Sequence, residues 1–333
     1  MASSPRSPSS WGSRVAEPGP ALAKPLVERL ALIGLGLIGS SIARAARRMN
    51  AAARIVAADA DPNVRARVAA LNIADEIAPD LASAARGADL VILCAPVGAN
   101  AAIADEIAPH LKEGAIVSDV GSVKSAVIAA LQPRLPAYVH LVPAHPVAGT
   151  EYSGPDSGFA TLFRRRWCII TPPENADEAA IACVKALWEA FGSHVEIMTA
   201  AHHDLVLAMT SHIPHLIAYN IVGTAADLEE VTSAEVIKFS AGGFRDFTRI
   251  AASDPTMWRD VFLNNKDAVL EVLGRFTEDL AALQRMIRWG EGDKLFDLFT
   301  RTRAIRRGII EQGQETAAPD FGRQATENGG GRQ

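Results

Sequence analysis

The apolar run Leu30-Ala31-Leu32-Ile33 leads straight into Gly34-Leu35-Gly36-Leu37-Ile38-Gly39, and the helix-forming stretch Ser40–Met49 follows at once. Strand, glycine turn and helix in that order leave the chain few choices. Gly34 gives a tight turn, Gly36 lets a ligand phosphate come close to the backbone, and Gly39 lets helix and strand pack. Leu37 and Ile38 open the helix, whose free N–H groups and dipole favour a phosphate. A second strand ends at Asp59, 20 residues beyond Gly39, where an acid bonds the ribose hydroxyls of a dinucleotide. A carboxylate there repels a 2′-phosphate, so NAD is expected over NADP, although Arg65 and Arg67 follow closely enough to soften that repulsion.

The rest of the chain extends this pattern. Strand candidates are Leu30–Ile33, Arg54–Ala58, Leu90–Cys94, Ala115–Ser118, His140–Ala144, Trp167–Thr171 and Val195–Met198, the earlier ones separated by helix-length segments. That alternation predicts an α/β fold, a Rossmann-type doubly wound and mostly parallel sheet. The unbroken apolar character of Leu90–Cys94 predicts a sheet covered on both faces. After about Ala200 the reading is all-helical. One helix carries His202 through Ala225 with a kink at Pro214, and another starts at Asp254-Pro255 and runs to about Arg288. Along the second, Phe262, Val269, Leu273, Phe276, Leu280, Leu283 and Ile287 form an apolar seam suited to a second subunit. The expected domains are therefore a disordered extension (1–24), a dinucleotide-binding domain (25–199), a helical substrate and dimerisation domain (200–312) and a disordered tail (313–333).

Composition excludes several classes. A net charge of -5 gives no general affinity for nucleic acid or anionic membranes, and Arg164-Arg165-Arg166 reads as a solvated loop. No uninterrupted apolar run approaches the ~18 residues that span a bilayer. The first 20 residues lack a hydrophobic core, so they read as a disordered extension and not as a secretory signal. Cys94, Cys168 and Cys183 form no CxxC pair and read as reduced thiols, which places the protein in the cytoplasm. His202, His203, His212 and His215 lie near one another in sequence with only Asp204 beside them, so no metal is expected.

Strands of a doubly wound sheet deliver functional residues at their carboxyl ends. Ala95 and Pro96, after Leu90–Cys94, and Asp119, after Ala115–Ser118, are thus candidates to face the cofactor. Ser122 offers a hydroxyl near the nicotinamide, a helix cap being its plainer role. His145, closing the His140–Ala144 strand, is suited as general base because histidine titrates near pH 6.5. In the helical half, the loop Ala241–Arg249 combines Gly242 and Gly243 with Arg245 and Arg249, and arginine suits bidentate carboxylate binding. Trp258 on the next helix walls a pocket or fills a core.

DVGSVKS, HPVAGTEYSGP, SHIPH and GGFRDFTRIAASDPTMW, in that order behind GLGLIG, resemble the prephenate/arogenate (cyclohexadienyl) dehydrogenases of tyrosine biosynthesis. The resemblance covers roughly residues 28 to 300. It implies an oxidative decarboxylation in which hydride passes from the ring carbon bearing the hydroxyl to NAD while the ring carboxylate leaves as carbon dioxide. By the same resemblance His145 takes the hydroxyl's hydrogen bond and proton, and Ser122 positions that hydroxyl and the nicotinamide. Arg249 binds a substrate carboxylate, His215 lines the pocket with Trp258 and Gly242, and Glu151 sits near the substrate side chain. It implies a homodimer as well. Two other readings remain open: another two-domain NAD(P)-dependent hydroxy-acid dehydrogenase, and a non-catalytic NAD-binding sensor. Any tyrosine feedback is expected at the active site itself, since no regulatory module is read beside the helical half.

Overall fold

The computed structural model describes residues 21–150, 152–232, 238 and 241–311. The expected disordered ends fall outside these residues apart from 21–24, and Glu151 lies outside them too. Order begins before Pro25, because Leu22 donates its N–H to Met49 O at 2.9 Å and accepts from Asn50 Nδ2 at 3.0 Å. The chain divides into two compact units, one over Pro18–Leu273 and the other containing Gly274 onward.

Six parallel strands form the main sheet: β1 (Val27–Ile33), β2 (Ala52–Ala58), β3 (Glu76–Ile77), β4 (Leu90–Leu93), β5 (Ile116–Asp119) and β6 (His140–Leu141). Their order is β3-β2-β1-β4-β5-β6, the doubly wound arrangement, with the switch point between β1 and β4. The two faces alternate cleanly. Leu30, Leu32, Ile55, Leu90 and Ile92 pack with Ile42, Leu187 and Trp188 on one side; Ala31, Ile33, Val56, Val91 and Leu93 pack with Ile103, Ala104 and Val127 on the other. Both sets are removed from water, as the apolar runs predicted.

The expected strand His140–Ala144 is in fact two strands. β6 ends at Leu141, and β7 (Ala144–Pro146) leaves the main sheet to pair antiparallel with β8 (Trp167–Ile170), which pairs parallel with β9 (His194–Ile197). Pro143 sits between the two strands and has no N–H to extend the β5 ladder, while its carbonyl accepts from Thr171 N at 2.9 Å. His145 therefore lies within a short second sheet and is not the end of a sixth parallel strand. The two-residue β3 was too short to read from sequence.

From Ala200 the described elements are helical. Helices Ala200–Leu207 and Ile213–Thr232 are joined by a π-helical turn, Ala208–His212. The irregularity thus precedes Pro214 by a turn, where the missing proline N–H and its ring leave the helix ladder unmade. The stretch Ala200–Leu228 is long and apolar enough, by length and composition, to cross a membrane, which the residue-by-residue reading did not anticipate. It carries His203, Asp204 and His212 buried and hydrogen-bonded within the protein, as a core helix does. The Ala241–Arg249 segment is helical over Gly242–Thr248 instead of a loop. The helix expected from Asp254 to Arg288 is broken at Asn265 into Pro255–Asn264 and Lys266–Arg288. Val269 of the seam is buried with Ile213 and Val272, whereas Leu280 and Ile287 are exposed in the single chain.

The glycine turn shows three different constraints. Gly34 has φ +94°, and a Cβ there would meet the Cys94 carbonyl carbon at 2.8 Å and Ala95 N at 2.9 Å. A Cβ on Gly39 would fall on the Gly34 carbonyl oxygen, whereas one on Gly36 would meet nothing within 4 Å. Gly39→Ala is therefore expected to destabilise the fold by about 1–3 kcal/mol, with Gly36→Ala close to wild type in thermal melting. Equal melting temperatures for wild type and Gly39→Ala would contradict this packing role.

Candidate active site

The candidate cofactor residues stand at the carboxyl ends of β1, β2 and β4. Gly36 caps helix Leu37–Met49 without any side chain, so its first-turn N–H groups have no side-chain partner. The space in front of Gly36 is open, a cradle that a Cβ would begin to fill. Asp59 follows β2, and its Oδ2 accepts from Leu35 N at 2.7 Å while Oδ1 accepts from Asp61 N at 3.0 Å. A shallow cleft beside it is lined by Leu35, Asp59, Arg65, Val68 and Ile77. Arg65 donates from Nη1 to the Asp59 carbonyl at 2.6 Å, while Arg67 is held by Asp156 on the surface. Ala95 is half-buried beside Gly34, and Pro96 is exposed. These residues fit a dinucleotide.

Asp119 does not belong to that surface. Its carboxylate is buried and accepts from Lys124 Nζ at 2.6 and 2.8 Å, from Gly121 N at 2.7 Å and from Ala144 N at 3.3 Å. Burial raises the Asp119 carboxyl and lowers the Lys124 ammonium, and the contact between them opposes both shifts. Lys124 Nζ also donates to Ala144 O at 2.7 Å, the carbonyl preceding His145. The pair thus sets the position of β7 and leaves the Asp119 side chain no lone pair for a cofactor.

Around His145 the structure gathers residues from far apart in sequence. His145 Nδ1 lies 2.8 Å from His203 Nε2, and His203 Nδ1 lies 2.8 Å from Asp204 Oδ1. Asp204 Oδ1 also accepts from Lys124 N at 2.8 Å, and Oδ2 accepts from Ser125 N at 2.9 Å. Those two amides open the helix Lys124–Leu131, whose cap, Val123, offers no side-chain bond. Ser122 is therefore not the cap; it stands half-buried in the turn after β5. Asn265, at the helix break, donates from Nδ2 to Asp204 O at 2.9 Å and lies 3.1 Å from His212 Nδ1.

Three of the substrate-side candidates, His215, Trp258 and Arg249, lie near one another. The His215 ring stacks on Trp258 with centroids 3.7 Å apart, and His212 meets Trp258 edge-on at 6.1 Å. Burial lowers the His215 pKa; its Nδ1 bond to Ser211 O opposes that, and the charge of nearby Arg249 adds to it. Arg249 is half-buried and Arg245 exposed, which separates the two arginines that sequence left as alternatives. Gly242 begins the exposed helix in front of them. Trp258 Nε1 is buried and makes no hydrogen bond among the described residues, whereas His212 faces the Ser122 backbone, whose hydrogen bond works against the effect of burial on its pKa. With Asn265 on Nδ1, neutral His212 carries its hydrogen on Nε2, and Trp258 Nε1 is the donor in this cluster that suits an acceptor on a ligand.

The sequence reading singled out His145, Ser122, His215, Arg249 and Trp258 and missed Lys124, His203, Asp204 and Asn265 as parts of the site. His203 and Asp204 had drawn notice only as metal-ligand candidates; among the described residues no cluster suited to a metal is present.

The chain has known relatives. Residues 42–197 match the family model described as prephenate dehydrogenase, nucleotide-binding domain, and residues 199–301 match prephenate dehydrogenase, dimerization domain. Cyclohexadienyl dehydrogenase of Zymomonas mobilis is 44% identical over 282 residues, 85% of this chain and 96% of that protein. Prephenate dehydrogenase of Bacillus subtilis is 32% identical over 295 residues, 88% of this chain and 79% of that protein. The crystal structure of prephenate dehydrogenase from A. aeolicus in complex with hydroxyphenyl propionate and NAD+ superposes with a TM-score of 0.80 at 33% identity, covering 85% of this chain and 98% of that one.

Burial holds the buried histidines neutral and lowers His212 to about 4. An unfolded histidine protonates near pH 6.5. Below that pH the unfolded chain binds more protons than the folded one, so this stability is complete above 6.5 and is lost as pH falls toward 4. His212 alone contributes on the order of 3 kcal/mol to that slope. Urea unfolding at pH 6.5 and at pH 4.5 is expected to show a smaller loss of stability for His212→Gln than for wild type; equal losses would contradict the burial argument.

Proposed function

The chain belongs to the prephenate dehydrogenase family, and on that premise we propose how its site performs the family's chemistry. It is an NAD-dependent oxidoreductase that oxidatively decarboxylates prephenate, arogenate or both, giving 4-hydroxyphenylpyruvate or tyrosine. NAD, when bound, supplies the hydride acceptor. Gly36, Leu37 and Ile38 receive its phosphates in the turn that Gly34 and Gly39 shape, Asp59 the ribose hydroxyls, and Ala95 and Pro96 flank it at the switch point. Open space at Gly36 and the Asp59 carboxylate directly after β2 support this.

His145 takes the hydrogen bond of the substrate's 4-hydroxyl at Nε2, because Nδ1 is already held by His203. Its burial favours the neutral form needed to accept a proton. As hydride leaves the ring carbon, the hydroxyl proton moves toward Nε2. The electron pair released with carbon dioxide completes the aromatic ring, whose oxygen recovers the proton, so none is consumed overall. Ser122 orients the hydroxyl, and Arg249 holds a substrate carboxylate. His215 and Trp258 form one wall, and the unpartnered Nε1 donor of Trp258 favours a substrate oxygen. The single observation that carries the reading is His145, buried and hydrogen-bonded through Nδ1, in the strand next to the loop that bears Ser122.

We also propose a homodimer in the cytoplasm. The match of residues 199–301 to a dimerization domain and the exposed Leu280 and Ile287 on helix Lys266–Arg288 support the dimer. The free thiols of Cys94, Cys168 and Cys183 fit a reducing compartment.

The test follows NADH formation with prephenate and then with arogenate. Turnover of at least one is expected; none with either would leave the other hydroxy-acid dehydrogenases or a sensor. His145→Asn is expected to lower kcat by about 10²–10⁴ with NAD binding near normal, and unchanged turnover would remove His145 from the chemistry. Arg249→Gln is expected to weaken substrate binding roughly 10–100-fold, and an effect confined to NAD affinity would contradict its role.

A further inference from the structure

His145 has two ring nitrogens, and a neutral imidazole can put its hydrogen on either one. Only one arrangement leaves a lone pair for the substrate. We infer that Asp204 and His203 are positioning residues that fix His145 as its Nδ1–H tautomer, so that Nε2 is the basic atom. The inference rests on the reading of His145 as the base, and it concerns what holds that base ready.

The direction of each bond follows from its far end. Asp204 receives N–H groups from Lys124 and Ser125 and so is an acceptor at both oxygens. Burial pushes its carboxyl up, but the bonds from His203, Ser125 and the Lys124 amide outweigh that and keep it below the ordinary value. A carboxylate 2.8 Å from His203 Nδ1 requires the hydrogen on that nitrogen. His203 is completely buried, which disfavours its charged form, so Nε2 carries a lone pair. At 2.8 Å from that lone pair, His145 Nδ1 has to be the donor. The reverse order would place a lone pair of His203 against the Asp204 carboxylate. Asn265 Nδ2 bonded to the Asp204 carbonyl, and Thr199 Oγ1 bonded to His202 N, hold the helix that carries the pair.

Among the described residues, the groups facing His145 are few. Lys124 on the next helix is neutralised by Asp119 at the end of β5. His212 in the π-helical turn is neutral, and burial raises the Cys168 thiol on β8, so it stays protonated. Among the described residues, His203 is thus the neighbour bonded to the His145 ring, and Asp204 is the anion bonded behind it. When His145 accepts a proton at Nε2, its Nδ1–H bond shortens toward His203, and the Asp204 carboxylate compensates the charge through His203. The same logic holds the histidine of a serine protease triad, where losing the correct tautomer is very costly.

The test is a long-range ¹H–¹⁵N correlation spectrum of the full chain labelled at histidine, with His145→Asn assigning the His145 signals. The expected pattern at pH 7.5 is a protonated Nδ1 and an unprotonated Nε2. His203→Phe, which removes the acceptor, is expected to mix the tautomers and lower kcat about 10²–10³-fold while KM for NAD changes by less than about two-fold. His203→Gln restores an acceptor and is expected to recover at least about ten-fold of that loss. An Nε2–H pattern in the wild-type protein overturns the inference whether or not the variants fold, and so does a His203→Phe variant with wild-type kcat. Unchanged turnover in His145→Asn would instead sink the base assignment and leave the tautomer pattern standing.

Discussion

The carboxylate of Asp204 is the contact on which the site depends. With two oxygens it closes the open N-terminus of helix Lys124–Leu131 and fixes the ring of His203, and its own backbone carbonyl is held by Asn265. One side chain from the helical half thereby completes a helix of the dinucleotide half. A helix start lacking a local cap has N–H groups that must find partners. Here that need is met from 79 and 80 residues away, which ties the turn bearing Ser122 to the helix bearing His203. Replacing Asp204 would therefore disturb folding and chemistry together.

A second buried contact works alongside it. Asp119 and Lys124 form an ion pair removed from water, and Lys124 spends its remaining hydrogen bond on the Ala144 carbonyl. Buried pairs of this kind contribute little net stability against an apolar alternative, but breaking one by losing a partner costs about 3–5 kcal/mol. Its function is better understood as placement: it docks the short β7 strand, and with it His145, against the end of β5. The cofactor side has the opposite character. The glycine turn is defined by space, filled tightly at Gly34 and Gly39 and left open at Gly36.

Much of this was legible in the residues. Apolar runs marked β1, β2, β4 and β5 because a strand buried on both faces has no polar positions to blur the signal. Glycine spacing marked the turn from β1 into helix Leu37–Met49 because that geometry is local in sequence. The roles proposed for Ser122, His145, His215 and Arg249 come from the resemblance. What escaped the reading depends on contacts between distant segments. Asp119 sat at the right place in its strand to face a ligand, and only Lys124 folding back over it turned it inward. His203 and Asp204 were visible as side chains that bind metals, since nothing in sequence says that a histidine 58 residues away will meet them. The break at Asn265 carries no glycine or proline, so a continuous apolar seam concealed it. Pro143 was the one signal available for the split of β6 from β7.

We propose that His145, held from behind by His203 and Asp204, presents Nε2 to the substrate hydroxyl while Arg249 takes a carboxylate. A crystal structure of the chain with NAD and 4-hydroxyphenylpyruvate measures this directly. The account predicts the product's phenolic oxygen within about 3.2 Å of His145 Nε2, with the side-chain carboxylate toward Arg249. A product bound with its carboxylate at His145, or with the phenol turned away from that ring, would contradict it.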